Sequence, residues 1–152
     1  MKSILALMFL VATQSTPPNR LSLPFWDASG ARFMTNTYSA TLRESNPGTS
    51  PILVVVATRN SALPSFKKQS AAFSRLAGSV ESMQLLYAVA ASDTPVKSGY
   101  WLDQEAAQSL LGDETFRVVI LGPHGDICRS SRTPLSSLSI RRSVAKCRRD
   151  AL

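Results

Sequence analysis

Blocks of apolar residues separated by polar turns organise the chain from residue 51 onward. Ile52 to Ala57 is an unbroken apolar run dominated by β-branched residues, the pattern of a central strand covered on both faces. Beyond it, Leu63, Phe66, Phe73 and Ala77 recur at helical spacing while Lys67, Lys68 and Arg75 fall elsewhere. Ser61 is placed to cap this helix, Pro64 suits its first turn, and Gly78 is placed to close it. Met83 to Ala91 reads as a second buried strand, ended by Ser92-Asp93-Thr94-Pro95. A shorter helix is expected within Leu102 to Leu111, with Ala106 and Leu110 on one face and Gly112 as its stop.

Phe116 to Leu121 and Ile127 to Arg129 flank the turn Gly122-Pro123-His124-Gly125-Asp126, which predicts a hairpin. Thr133-Pro134 is expected to open a last helix. Leu135 and Leu138 lie on one side of that helix and Ile140, Val144 and Cys147 on another, which implies a bend or fraying near residue 139.

The first 50 residues read differently. Lys2 followed by the apolar run Ile4 to Ala12, too short to span a bilayer, fits an export signal over residues 1–15 and predicts a periplasmic or secreted protein. Residues 16–50 form a polar lead-in rich in Ser, Thr, Pro, Asn and Gly, with Leu21 to Trp26 and Arg32 to Met34 able to pack on the domain. The expected domain runs from 51 to 142, and 143–152 reads as a basic C-terminal tail.

The order strand-helix-strand-helix-strand-strand-helix, with a right-handed crossover between the first two strands and an antiparallel hairpin, predicts an α/β, thioredoxin-like fold around a central mixed sheet. Phe116, Val118 to Gly122, Gly125, Leu135 and Arg141-Arg142, together with Ile52 to Ala57 and Gln69, resemble the exported thioredoxin-like family known as domain of unknown function 4174. That family is similar to modules of secreted animal matrix and adhesion proteins. The resemblance covers roughly residues 51–142 and implies no catalytic residues; the chain departs from the family pattern at Pro123-His124 and at Leu138-Ser139-Ile140.

At the first strand-to-helix junction, active thioredoxins carry Cys-x-x-Cys, because a helix N-terminus favours a thiolate and the second sulfur resolves the mixed disulfide. Here the junction reads Thr58-Arg59-Asn60-Ser61-Ala62-Leu63-Pro64, without sulfur, and Asp113-Glu114-Thr115 stands where an active member has a cis-proline. Both absences argue against an enzyme working at that corner. Cys128 and Cys147 lie 19 residues apart, and a bridge between them closes a loop worth roughly 3 kcal/mol on the loop-entropy estimate. Their spacing fits neither a redox Cys-x-x-Cys nor a zinc site, since only His124 is available as a third ligand; no metal or cofactor is expected. Cys128 beside Arg129 is the candidate reactive thiol.

The formal charge is +7, with Arg129, Arg132, Arg141, Arg142, Lys146, Arg148 and Arg149 gathered near the C-terminus. With Arg59 at the first junction, the arginines among these, Arg129, Arg132, Arg141, Arg142, Arg148 and Arg149, are the candidate anion-binding residues, suited to an anionic polymer or a lipid surface. Tyr100-Trp101 and Trp26 serve either as core plugs or as a recognition surface beside Lys97. The sulfur-free first junction and the basic C-terminal face lead to an expectation of an exported, non-catalytic binding module that docks on an anionic polymer, a membrane surface or a protein partner. The alternative is a thiol-dependent peroxidase or oxidoreductase using Cys128.

Overall fold

The structure, a computed structural model, describes residues 20–45, 48, 50–76 and 84–150. The export signal, Gly78 and Met83 lie outside them. In chain order the elements are β1 (Pro24–Trp26), β2 (Arg32–Met34), α1 (Tyr38–Ser45), β3 (Ile52–Thr58), α2 (Pro64–Ser74), β4 (Leu85–Ala91), β5 (Tyr100–Trp101), α3 (Gln104–Leu111), β6 (Phe116–Leu121), β7 (Ile127–Ser131) and α4 (Ser137–Asp150).

The strands form one mixed sheet in the order β2-β1-β5-β4-β3-β6-β7. β3 is buried at every position, and it pairs parallel with β4 and antiparallel with β6. This accounts for its continuous apolar sequence, because both of its faces are covered. On one face Leu53, Val55 and Ala57 join Val119 and Leu121 beneath Ala107, Leu110 and Leu111 of α3. On the other, Ile52, Val54 and Val56 join Phe116, Val118 and Ile120 against Leu76 and the buried side of α4.

The lead-in is built into this sheet. β1 pairs with β2 and with β5, and Phe25 and Tyr38 are fully buried in the α3-side core. Two three-residue strands carry too little periodicity to be read from sequence; they exist because the edge of a larger sheet pairs with them.

Two helix starts differ from the sequence reading. Ser61 does not cap α2: the residue before the helix is Leu63, with no side-chain cap, and Ser61 turns its N–H and hydroxyl to an Asp93 carboxylate oxygen at 3.2 and 3.3 Å. Thr133-Pro134 does not open α4, which begins at Ser137, with the Ser136 hydroxyl accepting the N–H of Ser139 at 3.1 Å. The cause is Gln69, whose side-chain amide holds both backbone groups of Leu135 and so keeps that residue out of the helix. The change of apolar face that suggested a bend disappears with it: Leu135 packs from the preceding loop, Ile140, Val144 and Cys147 face inward, and Leu138 is 53% exposed. Residues expected as a tail from 143 continue α4 to Asp150 and bury Ser143, Val144 and Cys147.

Candidate functional site

The sheet has two poles. At the C-terminal end of β3 lies the corner where redox-active relatives of this topology would hold sulfur. Here Arg59 donates its backbone N–H to the Thr115 carbonyl at 2.8 Å, and Ser92 donates its own to the Thr58 carbonyl at 3.0 Å. The Arg59 guanidinium donates to the carbonyls of Gly112 at 2.8 Å and Glu114 at 2.9 Å, tying down the turn that follows α3. Asn60 accepts the Ala62 N–H on its side-chain oxygen at 2.7 Å. The corner is a hydrogen-bonded closure between strand, loop and helix, and its polar groups are used in making it.

The sulfurs lie at the opposite pole. β6 runs antiparallel to β3, so its end at Leu121 stands beside Leu53, and β7 turns back from there. Ile127 pairs with Leu121 and Arg129 with Ile120, which leaves Cys128 as the extra residue of a β-bulge. A bulge bends its strand and re-aims the side chain it carries. Cys128 is thereby brought to Cys147 in the last turns of α4, at a Cα–Cα separation of 5.6 Å, and the two form a disulfide. Bridging requires roughly 4.4–6.8 Å between Cα atoms, so strand and helix need no displacement to close it.

The two sulfur residues differ in access. Cys147 is 1% exposed, packed with Ile140 and Val144, whereas Cys128 is only partly buried at the rim of that cluster. The Cys128 sulfur lies 3.8 Å from the Asp126 carbonyl oxygen and 4.0 Å from one of its carboxylate oxygens. Arg129 reaches from β7 to the Ser143 hydroxyl on α4 at 3.4 Å, alongside the disulfide that joins the same two elements.

The hairpin turn holds this pole together. Gly122 donates to the Asp126 carbonyl at 2.8 Å, and a Cβ on Gly122 would meet the Asp126 carboxylate at 2.7 Å. Tyr38, buried on the α3 side, directs its hydroxyl at the carbonyls of Gly122 at 2.8 Å and Pro51 at 2.9 Å. Arg148, one residue past Cys147, donates to the Ser50 carbonyl at 2.8 Å, and burial draws its guanidinium below the usual arginine range. His124 is exposed on the turn.

The other candidate cations spread outward. Arg132 makes an exposed ion pair with Glu114 at 3.4 Å, Lys146 pairs with Asp150 at 2.9 Å, and Arg141, Arg142 and Arg149 are exposed on α4. Trp26 stacks on Trp101 across the β1–β5 pair with centroids 4.7 Å apart, and Arg32 and Lys97 each sit 6.0 Å from a ring centroid. Sequence reasoning identified both cysteines but not the bulge, and it overlooked Tyr38 and Asp126.

No family model matches the chain, and no curated protein matches it. Solved structures do match in fold. A putative thioredoxin from Neisseria meningitidis superimposes with a TM-score of 0.64 at 9% identity, covering 90% of this chain and 93% of that one. A thiol:disulfide interchange protein of the thioredoxin family from Chlorobium tepidum gives a TM-score of 0.61 at 12% identity over 88% and 99%. The peroxidoxin BcpB from Mycobacterium tuberculosis gives 0.57 at 11% identity over 87% and 97%.

These findings correct the expectation of a non-catalytic binding module. The fold neighbours are peroxidases and thiol–disulfide oxidoreductases, and this chain's two sulfurs are paired on that same fold, so the thiol-dependent alternative has the better support. That expectation rested on the missing sulfur at one corner, and it gave too little weight to the pair at the other end of the sheet. The chain has the mixed α/β thioredoxin-like fold, with its only cysteine pair at the pole opposite the fold's customary redox corner.

Proposed function

We propose that the chain is a thiol-dependent oxidoreductase that cycles Cys128 and Cys147 between dithiol and disulfide, with a hydroperoxide as oxidant and an external dithiol as reductant. The observation that carries this reading is the asymmetry of the pair: one accessible sulfur on a bulge and one buried sulfur on a helix, already within bonding reach.

In the oxidative half, the Cys128 thiolate attacks the outer peroxide oxygen. The O–O bond breaks, the alcohol leaves with a proton, and Cys128 becomes a sulfenic acid. The Cys147 thiol then attacks that sulfur, the S–S bond forms and water leaves. In the reductive half, a thiolate of the donor dithiol attacks the accessible Cys128 sulfur, and the electron pair of the S–S bond departs on Cys147, which takes up a proton. The donor's second thiol displaces Cys128 from the mixed disulfide. Overall, one dithiol and one hydroperoxide yield one disulfide, one alcohol and water.

Redox titration of the purified chain against glutathione tests this. Structural disulfides of secreted proteins sit below about −300 mV, so a working pair is expected above that value. Cys147→Ser is expected to accumulate a mixed disulfide on Cys128 when mixed with an oxidised dithiol, and Cys128→Ser to abolish peroxide consumption. A potential below about −300 mV together with no peroxide consumption in excess dithiol would overturn the reading.

Export over residues 1–15 belongs to the same proposal, since an oxidising compartment supplies the setting for a disulfide cycle. N-terminal sequencing of the secreted or periplasmic form checks it. Membership of domain of unknown function 4174, which residues 51–142 resemble, is also proposed; homologues that keep Gly122, Gly125 and Arg141-Arg142 in register are its test.

A further inference from the structure

The accessible sulfur of the disulfide faces two oxygens of one residue. The Cys128 Sγ lies 3.8 Å from the Asp126 carbonyl oxygen and 4.0 Å from a carboxylate oxygen of the same residue. A bridged sulfur has no hydrogen to give them, so a negative charge stands directly against it. The hairpin turn holds that charge in place: the Asp126 carbonyl accepts the Gly122 N–H at 2.8 Å, and the carboxylate occupies the space that a Cβ at residue 122 would enter. The ion pairs Arg132–Glu114 and Lys146–Asp150 lie elsewhere, and among the described residues no cation stands within ion-pair distance of the Asp126 carboxylate. Of the neighbouring cations, Arg129 turns its guanidinium to the Ser143 hydroxyl, and Arg148 donates to the Ser50 carbonyl.

We infer that Asp126 selects the reductant of Cys128–Cys147, favouring a dithiol whose attacking cysteine is flanked by Lys or Arg over one flanked by Asp or Glu. This rests on the redox reading above and names a substrate class for its reductive half. In that half the donor thiolate attacks the Cys128 sulfur and forms a new S–S bond, while the electron pair of the old bond leaves on Cys147, which takes up a proton. The donor's second thiol then closes the donor's own disulfide and releases Cys128, which takes up the second proton. The attack brings an anion to a sulfur that already has a carboxylate oxygen 4.0 Å away. Two unit charges at about that separation alter a rate by about 5-fold in water-like surroundings, and by more than about 100-fold at the effective permittivity near a protein surface. A cation flanking the donor cysteine pairs with Asp126 as the thiolate arrives, whereas an acidic flank adds to the repulsion. The chain's net charge of +7 acts in the opposite sense but from farther away, and at physiological ionic strength exposed charges beyond about 8 Å are screened. The near charge therefore decides.

The probes are two synthetic dithiol peptides identical except that Lys flanks the cysteines in one and Asp and Glu flank them in the other. Each rate of reduction of the oxidised protein is divided by that peptide's rate with the uncharged hydroxyethyl disulfide, which removes differences in intrinsic thiol reactivity. In about 0.15 M salt the Lys peptide is expected to be faster by about 5-fold or more, and the preference to shrink in about 1 M salt, where the screening length is about 3 Å. Asp126→Asn keeps the shape of the side chain and removes its charge, and is expected to lower the ratio of the two normalised rates by about 5-fold. The salt series on the parent protein needs no variant. Dithiothreitol is expected to reduce both forms.

Equal normalised rates for the two peptides in about 0.15 M salt, or a faster acidic peptide, overturn the inference and leave the redox reading standing. A ratio that folded Asp126→Asn leaves unchanged overturns it in the same way, because the selection then comes from another charge. Failure of both peptides and of dithiothreitol to reduce the folded protein overturns the redox reading, and this inference with it.

Discussion

Gln69 holds Leu135 by both ends of one amide: its Nε2 donates to the Leu135 carbonyl at 3.0 Å, and its Oε1 accepts the Leu135 N–H at 2.8 Å. The side chain is fully buried on α2, so the pair satisfies both backbone groups of a residue that lies in neither strand nor helix. It anchors the loop that leads into α4, and hence the helix that carries Cys147.

Replacing Gln69 with Leu leaves a buried N–H and a buried C=O without partners. Each such orphan costs about 1–3 kcal/mol, so the variant is expected to lose roughly 3 kcal/mol in urea titration. Loss of less than about 1 kcal/mol would show that water or a loop shift satisfies Leu135 instead.

Tyr38 gives the protein an alkaline limit. Burial raises its phenol above the ordinary tyrosine value near 10. Burial raises Tyr87 and Tyr100 in the same direction. The folded state thus keeps phenol protons that the unfolded state gives up, so stability is level with respect to these groups below about pH 10 and falls as the pH rises beyond it. Each fully retained proton adds a slope of about 1.4 kcal/mol per pH unit. Tyr38→Phe is expected to be less stable at neutral pH by roughly 1 kcal/mol, through loss of the hydroxyl's bonds to Pro51 and Gly122, and to show a shallower alkaline decline. Thermal melts from pH 7 to 11 read both effects, and an unchanged slope would contradict the assignment.

Gly125 cannot bear a side chain. Its φ is +82°, and a Cβ there would stand 2.7 Å from the Asn36 Cα and 2.7 Å from the Thr35 carbonyl oxygen, both backbone atoms. Left-handed strain alone costs of order 1–3 kcal/mol for a residue with a side chain, and the clash adds to it. Gly125→Ala is expected to lower the melting temperature and, because the hairpin turn carries Cys128 just beyond it, to slow re-formation of the disulfide after reduction. A variant with parental melting and reoxidation would show that the lead-in moves aside freely.

Arg59 tests the separation of the two poles. Its guanidinium serves the carbonyls of Gly112 and Glu114, and hydrogen bonds from a charged donor contribute about 1.5–3 kcal/mol. Arg59→Ala is expected to cost roughly 2 kcal/mol in denaturant while peroxide turnover per folded molecule stays at the parental level. Loss of turnover without loss of stability would instead place chemistry at the β3–α2 corner.

The apolar run of β3, the turn glycine Gly125 and the order of helices and strands were legible along the chain, because burial on both faces and positive φ each restrict the residue types allowed. So was the supply of sulfur, since only two cysteines exist. Tertiary structure decided the rest. β1 and β2 are too short to form alone and take their structure from the sheet edge. Thr133-Pro134 looks like a helix start, yet the amide of Gln69, 66 residues away, outbids it for Leu135. The direction in which Cys128 points depends on one unpaired residue in a ladder, and a shift of one residue turns every side chain to the other face. Local sequence sets which groups are available; which of them meet is set by pairing and burial between segments far apart in the chain.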